Sequence, residues 1–453
     1  MEAREQCLVG DWPDYEDGAG WPVLRFRRSE LGTWRRRSAF EFSRATRQWT
    51  TGSWGHGPRG FRSRKKGEGV SERGSGFVPG LEGVVAAETR LSHVDGEAGE
   101  LVVTGFPVEE LARRATFEEV LYLLWHDALP NAGELADLRE ALSQRRPLPG
   151  ATLDLLRAAA SEGAPPMDAL RMATGTVSLG TQGTSPDTDA AYEDALAVVA
   201  RFPTIVAAYK RLLDGEEPVA PDPRLGHAAN YLYMLNGEVP GEGSVRALEA
   251  YLNTVADHGL NASTFAARVI VSTRSDLVSA VVGALGALKG PLHGGAPGPA
   301  LDVVFEIGEA HRAEAVLCEK LGRGERLMGF GHRVYKVRDP RADVLATAAE
   351  LLYASDGDEA LYELALEVER TAVALLAEYK PGRGLQTNVE FYTALLLHGL
   401  GLSTELFTPT FAVGRVAGWT AHCFEQLERG RLIRPQSEYV GERDREWVPM
   451  GDR

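Results

Sequence analysis

No run of about 18 apolar residues occurs in this 453-residue chain, so none of its helices is expected to span a bilayer. Met1 to Gly20 lacks the apolar core of a secretory signal. Cysteine is scarce. Cys7, Cys318 and Cys423 show no paired spacing, which argues against a disulfide framework or a zinc site and fits a reducing cytoplasm. Lysine is scarce too, with only 7 of the 49 basic residues. No internal repeat appears, and no second strand-rich block follows the first.

The formal charge of −15 is unevenly spread. Residues 1–75 hold 15 Lys/Arg against 10 Asp/Glu, a balance of +5, which leaves 34 basic and 54 acidic residues, or −20, for the rest. An acidic, lysine-poor surface fits a protein made for high salt; a GC-rich genome that replaces Lys by Arg gives the same bias. Either way the main body is a poor partner for nucleic acid. Residues 1–75 hold five of the eight tryptophans and the basic runs Arg35-Arg36-Arg37 and Arg62-Ser63-Arg64-Lys65-Lys66, with no lasting periodicity. They are expected to be a disordered or wrongly included extension. The competing reading is a basic, aromatic arm for RNA or an acidic partner.

From Leu81 the pattern becomes regular. Val84 to Val103 alternates around Asp95-Gly96 and predicts a short β-hairpin. After that nearly everything predicts helix. Thr116-Phe117-Glu118-Glu119 is a capping box, Pro166 opens a helix, and Pro203 should kink the long pattern from Asp189 to Leu213. Asn261 to Leu288 is apolar enough for one or two buried helices. The fold class is all-α with a minor hairpin.

Several places have site-like chemistry. In Gly329-Phe330-Gly331-His332 two glycines deliver a histidine, and Asp339-Pro340 then reads as N-cap and first residue of a helix. Arg341 therefore sits in a first helical turn, beside N–H groups that already favour an anion. Together His332 and Arg341 suit a small carboxylate-bearing substrate. His293 stands in the glycine-rich loop Lys289 to Ala296, which is either a plain helix-ending turn or a ring offered to a ligand. His258 ends a helix, where the dipole alone would explain a cation. Glu390, in Asn388-Val389-Glu390, starts an otherwise apolar helix. It is either an ordinary N-terminal charge or a carboxylate desolvated enough to act as a general base. Arg415 lies in the apolar stretch Phe411 to Trp419 and Arg434 precedes Pro435; a guanidinium in apolar surroundings needs a partner. His258, His293 and His332 are 35 and 39 residues apart with no H-x-x-x-H pair, so no metal site is expected.

Gly329 to Arg341 reads G-F-G-H-x-V-x-K-x-x-D-P-R. This resembles the signature of the citrate synthase family at every fixed position, and the likeness runs from about Gly80 to Gly441. The resemblance implies a homodimer of the short archaeal and bacterial form, with a large helical domain (residues 76–293 and 398–453) and a small one (294–397). It implies a cytoplasmic enzyme with no tightly bound cofactor that condenses acetyl-CoA, as co-substrate, with oxaloacetate. His258, His332, Arg341, Arg415 and Arg434 would surround oxaloacetate, with Arg434 reaching in from the partner subunit. His293 would steady the enol of acetyl-CoA, Glu390 would be the base, and His332 would protonate the oxaloacetate carbonyl. Coenzyme A phosphates want basic groups at the cleft mouth, and Lys336, Lys380 and Arg383 stand where such groups are needed. Two departures from the family pattern bear on rate and substrate choice: Glu390 where Asp is common, and Pro297-Gly298-Pro299 after the His293 loop. The alternatives are a 2-methylcitrate synthase using propionyl-CoA, or a weakly active paralogue that only binds CoA or a dicarboxylate.

Overall fold

Side-chain caps set several of the helix starts in the computed structural model, which describes residues 77–179, 188–293, 297–331, 335, 337–356 and 358–453. The expectations for residues 1–75, His332 and Lys336 lie outside these. By their internal contacts the described residues divide into two units, the first residues 85–453 and the second residues 77–84. The second makes one 3-10 turn at Pro79–Leu81.

In the first unit the hairpin is β1 (Ser92–Asp95) against β2 (Glu100–Val103), antiparallel, with Ser92 opposite Val103. Asp95 Oδ1 closes the turn by accepting from the N–H groups of Glu97 and Ala98 at 2.9 and 2.8 Å. A third strand too short to signal itself, β3 (Phe106–Pro107), pairs with β2.

Sixteen α-helices follow among the described residues: α1 (Val108–Arg114), α2 (Phe117–His126), α3 (Ala132–Arg145), α4 (Gly150–Ser161), α5 (Pro166–Thr174), α6 (Thr188–Leu213), α7 (His227–Asn236), α8 (Glu242–Val255), α9 (Ala262–Ser272), α10 (Leu277–Leu288), α11 (Pro297–Ile307), α12 (Ala313–Gly322), α13 (Pro340–Asp356), α14 (Glu359–Tyr379), α15 (Val389–Gly399) and α16 (Phe407–Arg429). The all-α expectation holds. Thr116 makes the expected capping box at the start of α2. Helix α6 remains one helix with Pro203 inside it, although proline has no N–H to give the carbonyl four residues back. The apolar run Asn261 to Leu288 is two helices, because Arg274 turns left-handed at φ 66° and Asp276 Oδ1 then caps α10 by accepting from Ser279 N–H at 2.7 Å.

Helix α16 is the core element. It packs on α2, α6, α8, α9 and α10, and nearly all of Phe407 to Leu427 is buried. Its approach to the end of α8 is closer than side chains would allow. A Cβ on Gly414 would lie 2.7 Å from Val255 Cγ2, and one on Gly418 would lie 2.3 Å from the carbonyl oxygen of Ala256. Instead the Gly418 N–H donates to that oxygen at 3.0 Å. Gly418→Ala is therefore expected to destabilise the fold by about 1–3 kcal/mol, seen as a lower urea midpoint at unchanged slope. An unchanged midpoint would mean that the two helices can separate there without loss.

Candidate active site

The loop 329–331 and the start of α15 are sewn together. Asn388 N–H donates to Gly329 O at 3.0 Å, Gly331 N–H to Gln386 O at 2.7 Å, and Asn388 Nδ2 to Gly331 O at 2.7 Å. Phe330 and Thr387 form an antiparallel bridge. Both glycines are required. Gly329 has φ 89° and a Cβ there would meet Phe391 at 3.1 Å; Gly331 has φ 78° and its Cβ would meet Leu385 at 2.8 Å. Asn388 also caps α15, its Oδ1 accepting from Glu390 N–H at 2.9 Å. One side chain thus links the stretch leading to His332 with the helix that presents Glu390.

Asp339 and Pro340 open α13 as the sequence predicts. Asp339 then does more than cap: its two oxygens accept from Arg341 Nε at 3.0 Å and Nη2 at 2.8 Å, a bidentate fork between two buried side chains. Asp339 Oδ2 also accepts from Val389 N–H at 3.3 Å. Burial works against charge on Arg341, but this fork overrides it and raises its pKa. Arg415 is the opposite case. Also buried, it spends Nε on the carbonyl of Val255 at 2.6 Å and lies over the ring of Phe411, 4.6 Å from its centroid. Burial lowers its pKa to about 10, with Asp257 as the main opposing charge and Arg341 adding to the fall.

Glu390 lies among these groups. Loss of water pushes its carboxyl up to about 7; the guanidinium of Arg341 draws it back, Asp339 raises it further, and Arg415 lowers it. The fully buried Tyr251 feels Glu390 first among the charges, and its hydroxyl has no hydrogen-bond partner among the described residues.

His293 follows α10 in a turn closed by its own N–H on Gly290 O at 2.9 Å. Its Nε2 accepts from Ser263 N–H at 3.3 Å and lies 2.8 Å from Ser263 Oγ. Because a backbone N–H can only donate, Nε2 carries no proton and the neutral ring holds its hydrogen on Nδ1. Burial, and then Arg415, press its pKa down to about 4, offset in part by a bond to its own backbone. Trp419 Nε1 donates to Ser263 Oγ at 3.0 Å and fixes that serine in turn. Arg415 thus acts electrostatically on both Glu390 and His293. His258, half-buried past the end of α8, sets Nε2 3.1 Å from the hydroxyl of Tyr335, and the two rings meet edge-on.

The remaining described candidates are at the surface. Lys380 and Arg383 are exposed beyond the end of α14, and Arg434 is exposed in the C-terminal segment after α16. Among the described residues no three His, Cys, Asp or Glu side chains gather as a metal ion would need, and no helix is long and apolar enough to cross a membrane. Reading the sequence alone missed Ser263, Tyr251 and Asn388. Only Asn388 left a signal, as an Asn two residues before a carboxylate at a helix start.

A carboxyl with its pKa near neutrality, an uncharged imidazole and two buried guanidinium groups, set in an all-helical body, form a site able to pair a base with a neutral hydrogen-bond donor beside cations. The model of the family described as "Citrate synthase, C-terminal domain" matches residues 80–436. The citrate synthase of Haloferax volcanii is 44% identical over 379 residues, covering 83% of this chain and 98% of that protein. A 2-methylcitrate synthase of Mycobacterium tuberculosis is 40% identical over 370 residues, covering 81% and 91%. A solved citrate synthase from Pyrobaculum aerophilum superposes with a TM-score of 0.76 at 38% identity, over 87% of this chain and 100% of that one. That of Thermoplasma acidophilum, in complex with carboxymethyl coenzyme A and oxaloacetate, gives 0.76 at 31% identity, over 83% and 99%. The chain belongs to the citrate synthase family.

Asn388→Ser separates the two duties of that residue. Serine keeps a helix-cap acceptor, so stability should stay within about 1 kcal/mol. It cannot reach Gly331 O, so kcat should fall on the order of tenfold or more as the loop loses its tether. An undiminished kcat would make the tether dispensable.

Proposed function

We propose that the chain condenses acetyl-CoA with oxaloacetate to citrate and CoA, with Glu390 as the base. What most supports this reading is the half-buried, desolvated Glu390 carboxyl with its pKa near 7, which shares the field of Arg415 with a neutral His293. A carboxylate of that pKa is about the strongest base still ionised at neutral pH, which a weak carbon acid needs. Glu390 takes a proton from the thioester methyl. The Nδ1–H of His293 donates to the thioester oxygen, where charge develops. An imidazole with its pKa near 4 makes that donation uncharged and stays neutral across the working range.

The enolate carbon then attacks the carbonyl carbon of oxaloacetate as the thioester C=O re-forms; a C–C bond forms, the ketone C=O π bond opens, and His332 gives that oxygen its proton. Water cleaves the resulting citryl-CoA thioester and releases the CoA thiol. The two carboxylates of oxaloacetate are bound by His258, Arg341 and Arg415, with Arg434 supplied by the partner subunit of a homodimer. Lys336, Lys380 and Arg383 face the CoA phosphates. The small domain, residues 294–397, closes on the large one to exclude water before the enol forms. The enzyme works in the cytoplasm without a bound cofactor.

A second reading, propionyl-CoA as acyl donor, is favoured by the 2-methylcitrate synthase relatives. One methylene in an apolar pocket is worth only about 1–3 kcal/mol of discrimination. Thiol release with oxaloacetate and each acyl-CoA in turn separates the two and would expose a chain that only binds them.

Two outcomes test the base. Glu390→Gln should lower kcat on the order of a thousandfold, while oxaloacetate still raises the melting temperature. For the parent, kcat/KM for acetyl-CoA should fall as pH drops through about 7, because the raised pKa leaves Glu390 protonated below that point. Full activity in the glutamine variant, or a profile flat to pH 5, would remove Glu390 from the chemistry.

A further inference from the structure

Beneath the candidate site runs a chain of buried polar side chains that the reaction does not use. Arg268, on α9, is buried and donates through Nη1 to Glu425 Oε2 at 2.7 Å and to His422 Nδ1 at 2.8 Å, and through Nε to Gln426 Oε1 at 3.2 Å. A guanidinium can only donate, so Nδ1 of His422 accepts and its proton sits on Nε2. That nitrogen is 3.2 Å from Asp257 Oδ1, and both side chains are fully buried. From the hairpin, Ser92 Oγ donates to Asp257 Oδ2 at 2.5 Å and accepts from Gly259 N–H at 2.7 Å. Asp257 is thus gripped from α16 and from β1. Its neighbour His258 reaches Tyr335, and it is the main opposing charge on Arg415.

We propose that His422 and Ser92, acting through Asp257, are positioning residues that set His258 and Arg415 for the dicarboxylate substrate. This rests on the reading that His258 and Arg415 bind that dicarboxylate. The relay orients Asp257 and keeps it a fixed anion, so that the turn 257–259 and the guanidinium of Arg415 are preset before substrate arrives. Loss of the relay should therefore act on binding more than on the chemical step.

The measurement is thiol release at varied oxaloacetate with saturating acetyl-CoA. His422→Leu should raise the KM for oxaloacetate about tenfold or more while kcat falls by less than about threefold. His422→Gln, whose amide can accept from Arg268 and donate to Asp257, should recover most of that loss. Ser92→Ala, at a half-buried position, should raise KM about threefold and serves if the leucine variant does not fold. A purely structural role would lower the melting temperature and leave KM alone. Values of KM within about twofold of the parent in His422→Leu, or in Ser92→Ala where leucine does not fold, overturn the proposal whatever the melting temperature. His258→Ala and Arg415→Gln are run alongside. If they leave KM unchanged, the dicarboxylate reading itself fails; if they raise it while the relay variants do not, only the relay is refuted.

Discussion

The site depends on how closely α16 lies against the end of α8. Where Gly414 and Gly418 face the last turn of α8, backbone meets backbone. Gly418 N–H donates to Ala256 O and Arg415 Nε to Val255 O. Carbonyls at a helix C-terminus have no partner within their own helix and must find one elsewhere; here a neighbouring helix supplies both donors. The same approach carries Arg415 into the interior next to Asp257 and brings Trp419 onto Ser263, which holds His293. An extra side chain at Gly418 would push outward a whole set of groups that meet only because the helices touch.

The two buried arginines show how that interior handles charge. Arg341 is saturated on one edge by Asp339, so its geometry is rigid, yet it remains the first charge acting on Glu390. Arg415 has a backbone carbonyl and an aromatic face for close company, neither of which neutralises a cation. Burial of such a group costs energy unless an anion shares the space. Its pKa near 10 records that stress, and a carboxylate ligand would relieve it. The fork fixes Arg341 in one geometry, whereas Arg415 is held by a carbonyl and a ring and keeps more of its charge unanswered at close range.

How much of this could be read from the chain differs by element. Asp339 and Pro340 announced the start of α13, and the glycines at 329 and 331 announced a backbone no other residue adopts, because both are local effects. The hairpin and the all-helical class followed from periodicity. Strand β3 was too short to show a period, and the division between α9 and α10 hinged on a left-handed Arg274 that no pattern marks. Within the site, His293, Arg341, Arg415 and Glu390 were visible as residue types in unusual settings. Ser263, Tyr251 and the Arg268–His422–Asp257 relay were not, since each matters only through a partner far away in sequence: Ser263 and Trp419 are 156 residues apart, His422 and Asp257 165.

The departure at Glu390 is the place where local and global forces are most opposed. A carboxylate in the first turn of a helix is stabilised as an anion by the dipole and by the N–H groups there, which should hold its pKa low. Arg341 and Arg415 pull the same way. The pKa near 7 therefore means that loss of water, with help from Asp339, outweighs two guanidinium groups. Glutamate reaches one methylene beyond aspartate from the same backbone. The tether through Asn388 fixes where that backbone starts. On that fixed root, loss of water at the carboxyl is what carries its pKa up toward neutrality.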